Sequence, residues 1–191
     1  MHLAIEGIDG VGKSTICKLV AEKLDFLFVD KPLHHLFDDD GGYQNYIRIR
    51  DVVNAQSDRV FTSWFYGLGN IYLYTKFKGK NIVTDRHLLS NYCWSGTAES
   101  KAVFDLLVDK IGCPDFTFII YASSDVVKKR IVERDKNDTD VDKIPLISEI
   151  YRIMEAFCVK YKMPYLIINS DNLTIEQEVK IIINKVKEIN K

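Results

Sequence analysis

Short apolar, β-favouring runs recur along the chain between longer stretches of helical periodicity: Leu3-Ala4-Ile5, Phe26-Leu27-Phe28-Val29, Ile82-Val83-Thr84, Phe116 to Tyr121, and Tyr165-Leu166-Ile167-Ile168. The runs are nearly continuous in apolar character, as expected of parallel strands covered on both faces. Ile16, Leu19, Val20 and Leu24 follow helical spacing after the first run, and Ile175, Val179, Ile182, Val186 and Ile189 form a stripe on the last helix. Thr174 and Gln177 stand at capping-box spacing before that stripe. Strands alternating with helices predict a doubly wound α/β domain, its five-stranded parallel sheet covered by helices on both faces through right-handed crossovers. Asp38 to Gly42 and Asp135 to Asp142 read as polar loops.

Composition narrows this picture. At 191 residues, 47% hydrophobic and 28% charged, one domain over 1–191 with a sizeable core is the expectation. A formal net charge of -1 gives no electrostatic footprint for nucleic acid, so any anion must be gripped locally. Cys17, Cys93, Cys113 and Cys158 form no C-x-x-C pair, which predicts free thiols in a reducing compartment and no structural zinc. The amino terminus lacks the basic segment and apolar run of a signal peptide, so a cytoplasmic location is expected. The uncharged stretch Val60 to Thr75 falls short of the ~20 apolar residues of a membrane span and reads as a buried helix, without a membrane partner.

The candidate chemistry begins directly after the first strand. Gly7-Ile8-Asp9-Gly10-Val11-Gly12-Lys13-Ser14 is the G-x-x-x-x-G-K-[ST] pattern, placed between a strand and a helix as the phosphate cradle requires. Glycines let successive N–H groups converge on phosphate, the helix start adds its dipole, and Lys13 supplies a charge for the β and γ positions. Ser14 is the expected Mg²⁺ ligand and ATP the expected nucleotide. The guanine-selective N-K-x-D pattern is missing, because Asn184-Lys185 continues as Val186-Lys187. Asp85 and Arg86 leave the third strand at the sheet edge where such folds bind ligands. Either they form an ordinary surface pair, or Asp85 serves the metal or acceptor oxygen and Arg86 the transferred phosphoryl group.

Three segments make the chain similar to the thymidylate kinase family of P-loop NTP hydrolase-type proteins. They are Ile5 to Thr15, Val83 to His87 with Ser90 to Gly96 behind it, and a basic segment around Lys128 to Lys136. The resemblance implies transfer of phosphate from Mg-ATP to dTMP by a cytoplasmic homodimer. It assigns Asp9 to the acceptor 3′-hydroxyl, Arg86 to phosphate, Asn91 and Trp94 to the acceptor-base pocket, and Arg130 and Arg134 to a short lid over about 128–145. Gly7, Gly10, Val11, Gly12, Lys13, Ser14 and Thr15 match the donor cradle. From the residues alone Trp94 reads equally as core, and the basic segment as a solvated helix face.

Two features depart from the family pattern. Asp30-Lys31-Pro32 stands where an arginine is common, leaving Lys31 as the phosphate-gripping candidate, and Gly69-Asn70-Ile71 replaces an arginine on the aromatic helix. Phe61, Phe65, Leu68 and Tyr72 at helical spacing are expected in the core, with Phe65 the ring to stack on a base. His34 and His35 read as loop residues near the acceptor. Two other functions stay open: a deoxynucleoside kinase, fed by the lost arginine, and a nucleotide-binding protein without turnover.

Overall fold

A computed structural model describes residues 1–38, 41–135 and 138–190. Asp39 and Asp40 of the first polar loop, and Lys136 and Asn137 of the second, lie outside the described residues. The elements follow in the order β1 (His2–Glu6), α1 (Lys13–Leu24), β2 (Leu27–Asp30), α2 (His34–Phe37), α3 (Gln44–Asn54), α4 (Arg59–Lys76), β3 (Ile82–Asp85), α5 (Leu88–Ser95), α6 (Lys101–Ile111), β4 (Phe116–Tyr121), α7 (Ser124–Arg134), a 3-10 segment (Thr139–Leu146), α8 (Ile147–Lys160), β5 (Tyr165–Asn169) and α9 (Ile175–Ile189). The capping box at the start of α9 is present with both of its reciprocal bonds.

All strands pair in parallel, in the order β2-β3-β1-β4-β5. The fold is thus the expected five-stranded parallel sheet with helices on both faces. β1 lies at its centre and is buried along its whole length. Its neighbours supply Phe118, Ile119 and Ile120 from β4 and Val83 from β3, packed with Ile16 and Val20 of α1, Phe104 of α6, Phe157 of α8 and Ile182 of α9. β2 and β5 depart from the sequence expectation of strands buried on both faces. As edges, each with one neighbour, they are partly exposed at Leu27 and Ile167.

The register carries the function-bearing ends together. Ile5 stands opposite Asp85, and Asp85 opposite Asp30, so the loop after β1 and the ends of β2 and β3 emerge at one edge. This is the carboxyl edge at which open α/β sheets bind ligands.

Helix α4 corrects the expected core. Phe61 and Leu68 are 50% and 45% exposed, while the buried face consists of Thr62, Ser63, Gly67, Gly69, Asn70 and Leu73. Close packing explains the inversion. A Cβ on Gly67 would lie 3.0 Å from Leu107 of α6, and one on Gly69 would lie 3.3 Å from Leu33. Small residues therefore form the seam and the rings turn outward. Among the described residues no helix is long and apolar enough to cross a membrane.

Candidate active site

Backbone geometry builds the cradle. Gly7 leaves β1 at φ +142°, and a Cβ there would sit 2.6 Å from the Ile120 carbonyl oxygen, so only glycine fits against β4. Gly12 precedes α1 at φ +89° with open space where a side chain would project, leaving the helix N-terminus accessible to an anion. Lys13 is buried and donates to the Ile8 carbonyl at 2.5 Å, bridging the loop. Burial and the nearby Arg86 lower its ammonium to about 8, against the pull of Asp85 and Asp9.

The loop meets β3 through Ser14, whose hydroxyl donates to Asp85 Oδ2, while Asp85 Oδ1 is buried without a hydrogen-bond partner. A hydroxyl beside an under-satisfied carboxylate oxygen is a hard-oxygen donor set that fits Mg²⁺ completed by phosphate and water. Among the described residues no group of three or more His, Cys, Asp or Glu could hold a metal by itself.

Asp9 joins the cradle to the opposite wall. Arg86 Nη2 donates to its Oδ1, and Lys143 Nζ donates to its Oδ2 at 3.1 Å. Burial opposes ionisation of Asp9, but Arg86, Lys13 and Lys143 outweigh it and hold the carboxyl well below the usual range. Arg86 adopts φ +74°, a left-handed conformation that costs a residue bearing a Cβ. Its Nη1 donates to the Gly7 carbonyl at 3.2 Å and to Ser90 Oγ at 3.0 Å.

The cleft above these groups has a volume of about 430 Å³ and is lined on the donor side by Gly10, Gly12, Lys13, Ser14 and Thr15. Asp30, Lys31, Asp85 and Arg86 form the other wall, with Arg130 and Arg134 above. Arg130 reaches the phosphate loop through the Val11 carbonyl, to which its Nη1 donates at 3.5 Å, and both arginines have further partners. Arg130 donates to Ser170 Oγ at 2.8 Å and to the Ser170 carbonyl at 3.1 Å, tying α7 to the loop after β5. Arg134 binds Asp138 and Asp140 within its own segment. Lys31 is paired with Asp30 at 2.5 Å and lies 5.3 Å from the Tyr43 ring centre.

Other expected site residues stand back from the cleft. Asn91 is buried, donating to the Ser63 carbonyl at 3.2 Å and holding α5 to α4. The Lys143 ammonium covers Trp94 at 5.2 Å from the ring centre. Phe65 faces Phe37 with nearly parallel rings 6.4 Å apart. Val11 packs in the core. His34 stacks on Tyr43. The sequence reading missed Lys143, whose partner Asp9 lies 134 positions away, and Glu6, whose only signal was a lone charge ending an apolar strand.

Strand, glycine-rich loop, buried lysine and the Ser14–Asp85 pair, on a sheet of this order, define a P-loop kinase. The family model described as thymidylate kinase matches residues 71–182, more than half of the chain, and the chain belongs to that family of nucleotide kinases. It is 26% identical over 189 residues to a thymidylate kinase of Mycoplasma mobile, covering 91% of this chain and 86% of that protein. A probable thymidylate kinase of Methanocaldococcus jannaschii is 24% identical, with 71% of each chain covered. Among solved structures, a Candida albicans thymidylate kinase superposes with a TM-score of 0.69 at 15% identity, covering 100% of this chain and 93% of that one. A deoxyadenosine kinase from M. mycoides with bound dCTP gives a TM-score of 0.64 at 18% identity, covering 98% and 100%.

Proposed function

We propose that the protein transfers the γ-phosphoryl group of Mg-ATP to dTMP within one kinase domain of residues 1–191, the 128–145 segment closing as a lid. The observation that carries this reading is Asp9, held ionised between Arg86 and Lys143 beside the phosphate cradle. A carboxylate so placed can orient an acceptor hydroxyl, and the cations flanking it can meet the acceptor's phosphate. Lys13 and the loop amides hold the donor phosphates. Ser14 and Asp85 would hold Mg²⁺, which supplies charge neutralisation at the β and γ oxygens when bound. Lid closure would bring Arg130, Arg134 and Lys143 against the transferred group and exclude water. Phe65 would stack on the acceptor base, with Asn91 and Trp94 supporting that wall from α5.

A second reading, a deoxynucleoside kinase, is favoured by two observations: Lys31 is already paired with Asp30, and Gly69 offers no charge in place of an arginine. The protein is proposed to act on small nucleotides in the cytoplasm as a homodimer. Phe61, Trp64, Leu68 and Ile71 form an exposed apolar stripe along α4 that a second copy would cover.

A coupled ADP-release assay across dTMP, dUMP, other monophosphates and the corresponding nucleosides decides among these. The highest kcat/KM is expected for dTMP. Thymidine turnover above that of dTMP transfers the assignment to the nucleoside kinase, and ATP binding without turnover on any acceptor leaves a silent nucleotide-binding protein.

A further inference from the structure

Glu6 ends β1 with its side chain fully buried, a costly place for a carboxylate unless donors satisfy it. Two donors do so, and both come from the segment after β3. The His87 amide donates to Oε1 at 2.7 Å, and Ser90 Oγ donates to Oε2 at 2.5 Å. His87 is the N-cap residue of α5 and Ser90 lies in its first turn. The carboxylate thus sits at a helix N-terminus, where N–H groups lack intrahelical partners.

Hydrogen counting gives this network a direction. Ser90 has one hydroxyl proton, and Arg86 Nη1 already donates to the same oxygen. With Glu6 as the carboxylate, which can only accept, the Ser90 proton points to Glu6 and the bonds run from Arg86 to Ser90 to Glu6. The His87 amide bond fixes the residue next to Arg86, whose left-handed φ persists only where its surroundings over-determine it. With Nη1 occupied by Gly7 and Ser90, Nη2 is the group left for Asp9 and the cleft. Glu6 itself does not line the cleft and both its oxygens are engaged, so it has no direct access to a substrate.

We propose that Glu6 and Ser90 are positioning residues for Arg86, fixing its strained backbone and the orientation of its guanidinium toward Asp9 and the reacting groups. Both Glu6 oxygens must accept. Glutamine offers one acceptor, so Glu6→Gln either sets an NH₂ group against the His87 amide or turns the Ser90 hydroxyl away. The inference rests on Arg86 contacting substrate, as in the reading above.

The test is a double-mutant cycle in the ADP-release assay, using the full chain and the best acceptor found there. Ser90→Ala is expected to lower kcat about tenfold with the KM for ATP within about twofold of wild type, and Ser90→Thr, which keeps the hydroxyl, to recover most of the loss. In an Arg86→Ala background, Ser90→Ala and Glu6→Gln should each cost less than about twofold more, because the group they position is gone. Losses that multiply with that of Arg86→Ala, or a Ser90→Ala enzyme within twofold of wild type, overturn the proposal. Should Glu6→Gln fail to fold, the Ser90 arm alone decides. If Arg86→Ala itself leaves turnover unchanged, the assignment of Arg86 fails, and the positioning role fails with it. That outcome differs from one in which Arg86→Ala is inactive and Ser90→Ala is not.

Discussion

On the donor side of the cleft, the groups facing a ligand belong to one contiguous stretch, Gly10 to Thr15, and much of their work is done by main-chain amides and glycine conformations. On the acceptor side, Asp30, Lys31 and Arg86 come from different strand ends, while Asp9 is met from across the cleft by Lys143 of the 3-10 segment. The first wall is written as a local pattern and is pre-organised by the backbone. The second is assembled from side chains that already bind one another: Asp30 with Lys31, Asp9 with Arg86 and Lys143. A substrate arriving on the donor side meets a glycine-shaped loop and a helix N-terminus, whereas one arriving on the acceptor side must displace ion pairs. Specificity is therefore expected to reside in the second wall and the bulk of transition-state stabilisation in the first.

The largest effect should come from the backbone-built wall. Lys13→Ala is expected to lower kcat at least 100-fold with the fold retained, since the charge at the β and γ positions contributes several kcal/mol to the transition state, roughly 3 kcal/mol or more. Steady-state kinetics with circular dichroism of the variant checks this. Near-normal turnover would remove the donor wall from the mechanism.

Across the cleft, a charge-assisted contact to phosphate contributes roughly 1.5–3 kcal/mol, so Arg86→Ala should weaken dTMP about 10- to 150-fold, with a further loss in kcat. Lys31→Ala should cost less, because Asp30 already competes for its charge. Thymidine, which lacks the phosphate, should respond little to either change in KM. Equal sensitivity of both acceptors would mean that this wall does not read the phosphate.

The same difference decides what was legible in the sequence. The five-stranded parallel sheet and the α9 cap follow from local periods and spacings and stand as expected, whereas the order β2-β3-β1-β4-β5 is set by long-range pairing that no local period carries. Helix α4 does not stand as expected, because two faces compete at similar spacing. The rings predict one buried face, but Gly67 and Gly69 allow an approach to Leu107 and Leu33 that no ring could make, so packing distance overrode hydrophobicity. Lys143 was hidden for another reason. It belongs to a polar stretch whose charges of both signs pair locally, and only the fold brings it to Asp9 and Trp94.

Lys143 gives the next prediction in size. Of the cations discussed above in the 128–145 segment, Arg130 is held by Ser170 and the Val11 carbonyl and Arg134 by Asp138 and Asp140, while Lys143 pairs with the Asp9 carboxylate of the phosphate loop. Lys143→Met, which keeps the stem over Trp94 and removes the charge, should lower kcat about tenfold and change ATP affinity little. The double change of Arg130 and Arg134 to Ala should likewise reduce kcat more than nucleotide binding. Matched losses in Kd and kcat, measured by nucleotide titration and turnover, would make these groups ground-state contacts of the donor wall.

The smallest effect concerns the joint that both walls share, where β3 passes into α5. His87 is buried there with neither ring nitrogen hydrogen-bonded, edge-on to His2 and Tyr74, while the His2 ring binds Tyr74 and Thr84. Burial pushes the His87 imidazole down to about 3, and burial together with His87 lowers His2 in the same direction. Between the ordinary histidine value of about 6.5 and the folded value, the unfolded chain therefore binds more protons, so stability rises with pH and is lost as pH falls below about 6.5. At pH 5 this amounts to about 2 kcal/mol for His87, or roughly 4–8 °C in a domain of this size. His87→Phe keeps an aromatic ring between His2 and Tyr74 and removes the titration. Its Tm should fall less than that of the wild type between pH 7.5 and pH 5.0, by scanning calorimetry at matched ionic strength. Parallel falls in the two proteins would place the acid sensitivity in groups other than His87.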